Sequence, residues 1–196
     1  MIRVGFIVEG DSERIVYESE DFQEILKRLN LTNAGVITPQ SRTKFFNPDQ
    51  LRMYYQNILK RSPDKVFVII DKETDSECLS EIKKNISCID QSNQINIIQV
   101  KTLESWFLAD SEALSLAFHR RYRYENPEKT ENHPFEELQK EFKINTNRGL
   151  GSKESTLPAK KMVNKYKFSI ENAANHPKCP SAKYFLDKLS ELSPNL

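Results

Sequence analysis

The chain has little glycine, little cysteine and no long apolar run. Five glycines in 196 residues leave no low-complexity tract, so disorder is not expected outside the stretches 123–134 and 145–158. The three cysteines, Cys78, Cys88 and Cys179, stand far apart with no C-x-x-C pair. That spacing argues against a disulfide framework and a zinc ribbon, and fits a reducing cytoplasm. No stretch approaches the ~20 apolar residues of a membrane span. Glu9, Asp11 and Glu13 interrupt the opening apolar segment too early for a secretory signal, so a cytoplasmic protein without membrane association is expected. Neither sign of charge dominates: 29 lysines and arginines against 28 aspartates and glutamates give a net charge of +1. Any site for a polyanion must therefore be local.

What is present is an alternation of apolar strand and amphipathic helix. Ile2 to Val8 and Val66 to Ile70 are β-branched runs of the kind buried on both faces of a parallel sheet. Gly35 to Thr38 and Ile95 to Val100 supply two more strands. Between them, apolar spacing of three and four residues predicts helices over Glu13 to Leu29, 48–61 and 76–88. Gly10 marks a tight turn before the first helix, which Asp11 or Ser12 can cap. Beyond Lys101 the rhythm becomes helical: Leu103 to Phe118, Phe135 to Phe142, Ala159 to Phe168, Ser169 to about Ala174, and Ser181 to Leu192. The expected fold is α/β, a mostly parallel, Rossmann-like four-stranded sheet flanked by helices. Residues 1–110 form the core and 111–196 a helical C-terminal extension packed on it, in one compact unit.

Two of these strands end abruptly in acid. Glu9 follows the first, and Asp71, Glu73 and Asp75 follow the third. In open α/β sheets ligands gather at the carboxyl ends of the strands, so neighbouring strands would bring these carboxylates together. Like charges so close require a positive partner. A hard-oxygen set without nearby histidine or thiolate suits Mg²⁺ or Mn²⁺. Lys72, within the acidic cluster, is placed to touch substrate or tune a carboxylate. Glu104 follows the fourth strand and could complete the site, or could instead serve the dipole at a helix N-terminus. Trp106 reads as core.

The segment V-E-G-D-S-E containing Glu9, followed by V-F-V-I-I-D-K-E containing Asp71, resembles the Toprim domain. That domain is shared by primases, topoisomerases, small ribosomal-RNA maturases and the overcoming-lysogenisation-defect nucleases. E-S-W-F-L-A-D at 104–110, with Cys179-Pro180-Ser181, is similar to one bacterial Toprim-like family in particular. The resemblance implies that Glu9 is the general acid/base or a metal ligand, that Asp71 and Glu73 hold Mg²⁺, and that Asp75 assists. Glu73 stands where the Toprim pattern has a second aspartate, so Glu73 and Asp75 compete for that role. The implied activity is metal-dependent cleavage of DNA or RNA in a bacterial defence or mobile-element setting. The alternatives are a non-catalytic module partnering an ATPase and, third, nucleotidyl transfer.

Nucleic acid would also need cations along its backbone. Arg42 and Lys44 follow the second strand, Lys101 ends the fourth, and Arg120, Arg121 and Arg123 interleave with tyrosines that could stack on bases. Lys153, Lys160, Lys161, Lys165 and Lys167 form a further basic group. Gly149 to Lys153 lacks the spacing of a phosphate-binding loop and reads as a mobile loop. His176 and Cys179 read as a helix-cap region, and Ser12 and Ser105 show no triad partners.

Overall fold

The computed structural model describes residues 1–39, 42–72, 76–86 and 92–193. Four strands, β1 (Ile2–Val8), β2 (Leu31–Ile37), β3 (Lys65–Lys72) and β4 (Gln94–Val100), form one parallel sheet in the order β2-β1-β3-β4. The chain leaves β1 toward β2 on one side and returns to β3 on the other. The order therefore reverses between β1 and β3, and a crevice opens there at the carboxyl edge.

Alternation along the strands feeds two cores. Val4, Phe6 and Val8 of β1, Phe67 and Ile69 of β3 and Ile97 of β4 belong to the larger core. Ile7, Val66, Val68, Ile70 and Ile98 belong to the smaller one. The smaller core is closed by α3 (Arg42–Phe45), α4 (Pro48–Leu59) and α5 (Leu79–Ile86), through Phe45, Leu51, Tyr55, Ile58, Ile82 and Ile86. Pro48 occupies the first turn of α4, and Asn47 caps it by accepting from the Asp49 and Gln50 amides.

The larger core lies under α1 (Asp11–Tyr17), α2 (Glu20–Arg28) and the C-terminal helices. These are α6 (Leu103–Ala109), α7 (Ser111–Phe118), α8 (Pro134–Thr146), α9 (Leu157–Lys160), α10 (Ile170–Ala174) and α11 (Pro180–Ser190). Phe185 of α11 packs edge-on to Phe67 of β3, with ring centroids 5.8 Å apart. The C-terminal helices thus complete the core of the sheet itself.

The strands lie within a few residues of their expected positions, whereas the longer helices are divided. The expected helix from Glu13 to Leu29 is α1 and α2, separated where the Ser19 hydroxyl accepts from the Phe22 amide at 3.2 Å and starts a new helix. The expected helix from Leu103 to Phe118 breaks at Asp110, whose carboxylate accepts from the Glu112 and Ala113 amides and caps α7. The expected helix from Ala159 to Phe168 is α9 followed by a π-helical turn, Lys161–Lys165. The second strand begins earlier than expected, at Leu31, and its register against β1 shifts between Val4 and Gly5. Gly35 has φ of 138°, a conformation strained for any other residue, and a Cβ there would force the Arg61 side chain to move.

Candidate active site at the sheet edge

Gly10 sits at the end of β1 with extended backbone, φ −141° and ψ −179°, so the turn there uses no left-handed conformation. Its lack of a side chain serves a close approach instead, because a Cβ would stand 3.0 Å from Glu13 Oε2. Gly10, rather than Asp11 or Ser12, is the N-cap of α1. Glu13, three residues on, carries its Oε2 back toward Gly10, and the Glu13 and Gly10 amides favour its charged form. The position is that of the returning acid in a capping box.

That turn brings Glu13 into the crevice. Burial pushes its pKa up to about 7 against those two amides, and the charges of Glu104 and Glu9 add to the rise. Asp71, in the last turn of the β3 ladder and 7% exposed, is raised well above the usual carboxylate range. Burial is the main cause, followed by the charges of Glu13, Glu9 and Glu104, while Arg42 opposes them. The four carboxylates Glu9, Glu13, Asp71 and Glu104 therefore share one electrostatic site. Asp71 Oδ1 is buried there with no hydrogen-bond partner among the described residues.

Each member comes from a different element. Glu9 ends β1, half-buried, with Oε2 3.7 Å from Arg42 Nη1. Glu104 enters from the first turn of α6, where the Thr102 hydroxyl donates to its Oε2 at 2.6 Å. Arg42 lies on the opposite side from Glu13: it donates to the Asp71 carbonyl, pairs with Glu77 and stacks 4.9 Å from the Phe46 ring. The guanidinium is thus a wall of the acidic site. Alternation sets Lys72, half-buried, on the opposite face of β3 from Asp71. Glu73 and Asp75 lie outside the described residues, as does Cys88.

A cavity of about 450 Å³ opens beside the cluster, lined by Glu9 to Glu13 on one side and Lys153 to Thr156 on the other. Lys153 is exposed, with Nζ 3.2 Å from His133 Nε2. Lys153, at the end of the glycine-containing segment, and the residues after it therefore face the acids, an approach that the sequence spacing does not reveal. Although the four carboxylates interact electrostatically, no three Asp, Glu, His or Cys side chains among the described residues already stand around one point as an ion cage.

The remaining basic residues lie elsewhere or are engaged. Lys44 is exposed on α3. Lys101 donates to the Thr130 carbonyl at 2.6 Å, and Lys161 to the Leu150 carbonyl at 2.7 Å. Lys165 lies over the Tyr166 ring, and Arg120 over Tyr122 while bonding Asn145. Arg121 and Arg123 line a separate cavity of about 1140 Å³ with His176. His176 is buried, accepts from the Lys178 amide and meets the Tyr124 carbonyl, as suits a structural loop before α11. Ser105 donates to the Val100 and Thr102 carbonyls, a helix-start role.

Glu13 is the functional candidate the sequence conceals. An acid in the first turn of a helix has a sufficient explanation in the dipole. The available signal was its place four residues after Glu9, beyond a single glycine.

A four-stranded parallel sheet with acids converging at its topological switch point defines a Rossmann-like α/β protein with an acidic site at the carboxyl edge. Residues 8–190 match a family described as a domain of unknown function, DUF4276, and the chain belongs to that family. No curated protein and no solved structure shows significant similarity to it. No helix among the described residues is long and apolar enough to cross a membrane.

Proposed function

We propose that the protein is a Toprim-type phosphodiesterase that uses Mg²⁺ or Mn²⁺ to cleave nucleic acid. The observation that carries this reading is the convergence of Glu9, Glu13, Asp71 and Glu104 at the β1/β3 switch point, with Asp71 Oδ1 buried and unsatisfied. The donor set fits a hard divalent cation, since every candidate ligand is a carboxylate oxygen. Asp71, Glu9, Glu13 and Glu104 would hold the ion, with Glu73 or Asp75 as the further ligand that the Toprim resemblance implies. When bound, the ion polarises a phosphoryl oxygen and stabilises a departing alkoxide.

The chain's own groups do the rest. Whichever of Glu13 and Glu9 does not hold the ion would take or release a proton at the reacting oxygen. Lys153, across the cavity from Glu9, supplies a cation that can orient the scissile phosphate. The exposed Lys44, Arg121 and Arg123 offer contacts for more distant phosphates.

The alternative is a binding module that keeps the scaffold without chemistry, as partner of an ATPase. Arg42 favours it, because a guanidinium already lies against the acids and lowers the demand for a metal. Calorimetric titration with Mn²⁺, followed by cleavage assays on labelled single- and double-stranded DNA and RNA, separates the two. Metal binding together with cleavage that Glu9→Ala and Asp71→Ala each reduce by at least ~100-fold is expected, in line with loss of a group that acts in the transition state. Parent protein that binds no metal and cuts none of the substrates would leave the binding module as the reading.

A further inference from the structure

Beneath the carboxylates lies a buried polar floor. Tyr17 is one turn after Glu13 on α1, fully buried, and stacked on Phe6 with ring centroids 5.4 Å apart. Its hydroxyl finds no hydrogen-bond partner among the described residues. Burial, with the charges of Glu13 and Asp71, pushes its pKa well above the ordinary value, so the hydroxyl keeps its proton. Gln99 is 1% exposed and is the register partner of Asp71 on the adjacent strand β4. Residues paired in this way point to one face of the sheet, and Phe67, Ile69 and Ile97 of the same two strands share the larger core. Neither Nε2 nor Oε1 of Gln99 has a partner among the described residues.

Buried polar atoms in folded proteins are nearly always hydrogen-bonded, and leaving one without a partner is costly. Here a hydroxyl, a complete amide and one oxygen of Asp71 are unsatisfied on the same face, at the same edge. Two of the three can donate and the third can only accept. Packing does not require polar atoms there, since phenylalanine and leucine would fill the same space without the penalty. The two sides of the crevice are also chemically unlike. Glu9 pairs with the cation of Arg42, whereas the unpartnered groups on the larger-core side, Tyr17 and Gln99, are neutral.

We propose that Tyr17 and Gln99 are positioning residues that fix the Asp71 and Glu13 carboxylates from below when the site takes a divalent cation. This rests on the metal-dependent reading above. A carboxylate that gives one oxygen to a cation is oriented by a donor on its other oxygen, and such outer partners set both the geometry and the affinity of the site. A phenol and an amide do this without adding charge to a cluster that already holds four acids.

The test is Mn²⁺ titration by calorimetry on the full chain, with the thermal midpoint in chelator measured on the same samples. Tyr17→Phe and Gln99→Leu are expected to weaken Mn²⁺ binding ~10–100-fold while leaving the chelated midpoint unchanged or higher, because each removes an unsatisfied buried group. A midpoint that falls together with affinity would reduce both residues to packing and overturn the inference. Parent-like affinity in both variants would overturn it while the metal-dependent reading stood. Parent protein that binds no Mn²⁺ would remove the reading and the inference together.

Discussion

Glu13 has a carboxylate whose protonation depends on how tightly the site is closed. Its pKa is 4.5 in an ordinary setting and about 7 in the folded protein, so between those values the folded state binds more protons than the unfolded one. Stability contributed by this group is present in full below pH 4.5 and is lost as the pH rises to about 7. Asp71 shifts in the same direction and adds to the slope. At ~1.4 kcal/mol per pKa unit, the Glu13 contribution is at most roughly 3–4 kcal/mol. Thermal melts of the metal-free protein from pH 4.5 to 8 are expected to show a falling midpoint, and Glu13→Gln a flatter profile; equal slopes would separate Glu13 from the acidic site. Gly10 leads to a second expectation. A methyl group there would stand 3.0 Å from Glu13 Oε2, so Gly10→Ala should shift that carboxylate slightly and weaken Mn²⁺ binding by up to ~10-fold, read by calorimetry. Glu9 and Asp71 were legible because each ends an apolar strand abruptly. Glu13 was not, because an acid three residues after an N-cap looks in sequence like any helix-start acid.

At the scale of elements, the segment E-S-W-F-L-A-D joins three structural tasks to one functional candidate. Glu104 reaches the acidic site. Trp106 is fully buried and donates from Nε1 to the Ser181 hydroxyl at 2.8 Å, and Ser181 in turn is tied to Glu128. Asp110 ends α6 and caps α7 with Oδ1, while Oδ2 accepts from the Ser169 amide at 2.8 Å just before α10. One buried carboxylate thus secures two helix starts far apart in sequence. Losing a helix cap costs ~0.5–2 kcal/mol, so Asp110→Ala should destabilise by about 2 kcal/mol or more in denaturant unfolding, with Mn²⁺ affinity retained. A loss of affinity without loss of stability would place Asp110 in the site instead. Periodicity read the helical content of this stretch but not the break, because both halves carry apolar residues at helical spacing and only the partner amide of Ser169 gives Asp110 its second role. The break between α1 and α2 at Ser19 was hidden for the same reason.

For the whole molecule, the order β2-β1-β3-β4 accounts for where the acids meet, and the helices over the larger core account for why Glu13 and Asp71 are buried. The four strands were legible from their β-branched composition. Their order was not, since any of several neighbours could bury equally apolar faces. Nor does the sequence show that the C-terminal helices close the sheet's larger face. Phe185 of α11 makes that closure: its ring contacts Tyr17, Phe22, Phe67 and Trp106 at centroid distances of 5.6 to 6.0 Å. It therefore links α1, α2, β3 and α6, the same elements that carry Glu13, Asp71 and Glu104. Removing a buried phenylalanine costs ~3–5 kcal/mol through lost burial and the cavity left behind, and Phe185→Ala should lower unfolding stability by about that amount. Trp106 is the only tryptophan and packs against Phe185, so its fluorescence follows the α6–α11 contact while far-UV circular dichroism follows the whole chain. If the helices from α7 onward belong to the same cooperative unit as the sheet, the two signals change together in denaturant for the parent and for Phe185→Ala. A fluorescence transition that clearly precedes the circular dichroism transition would instead divide the chain into a sheet that stands alone and a cover that does not.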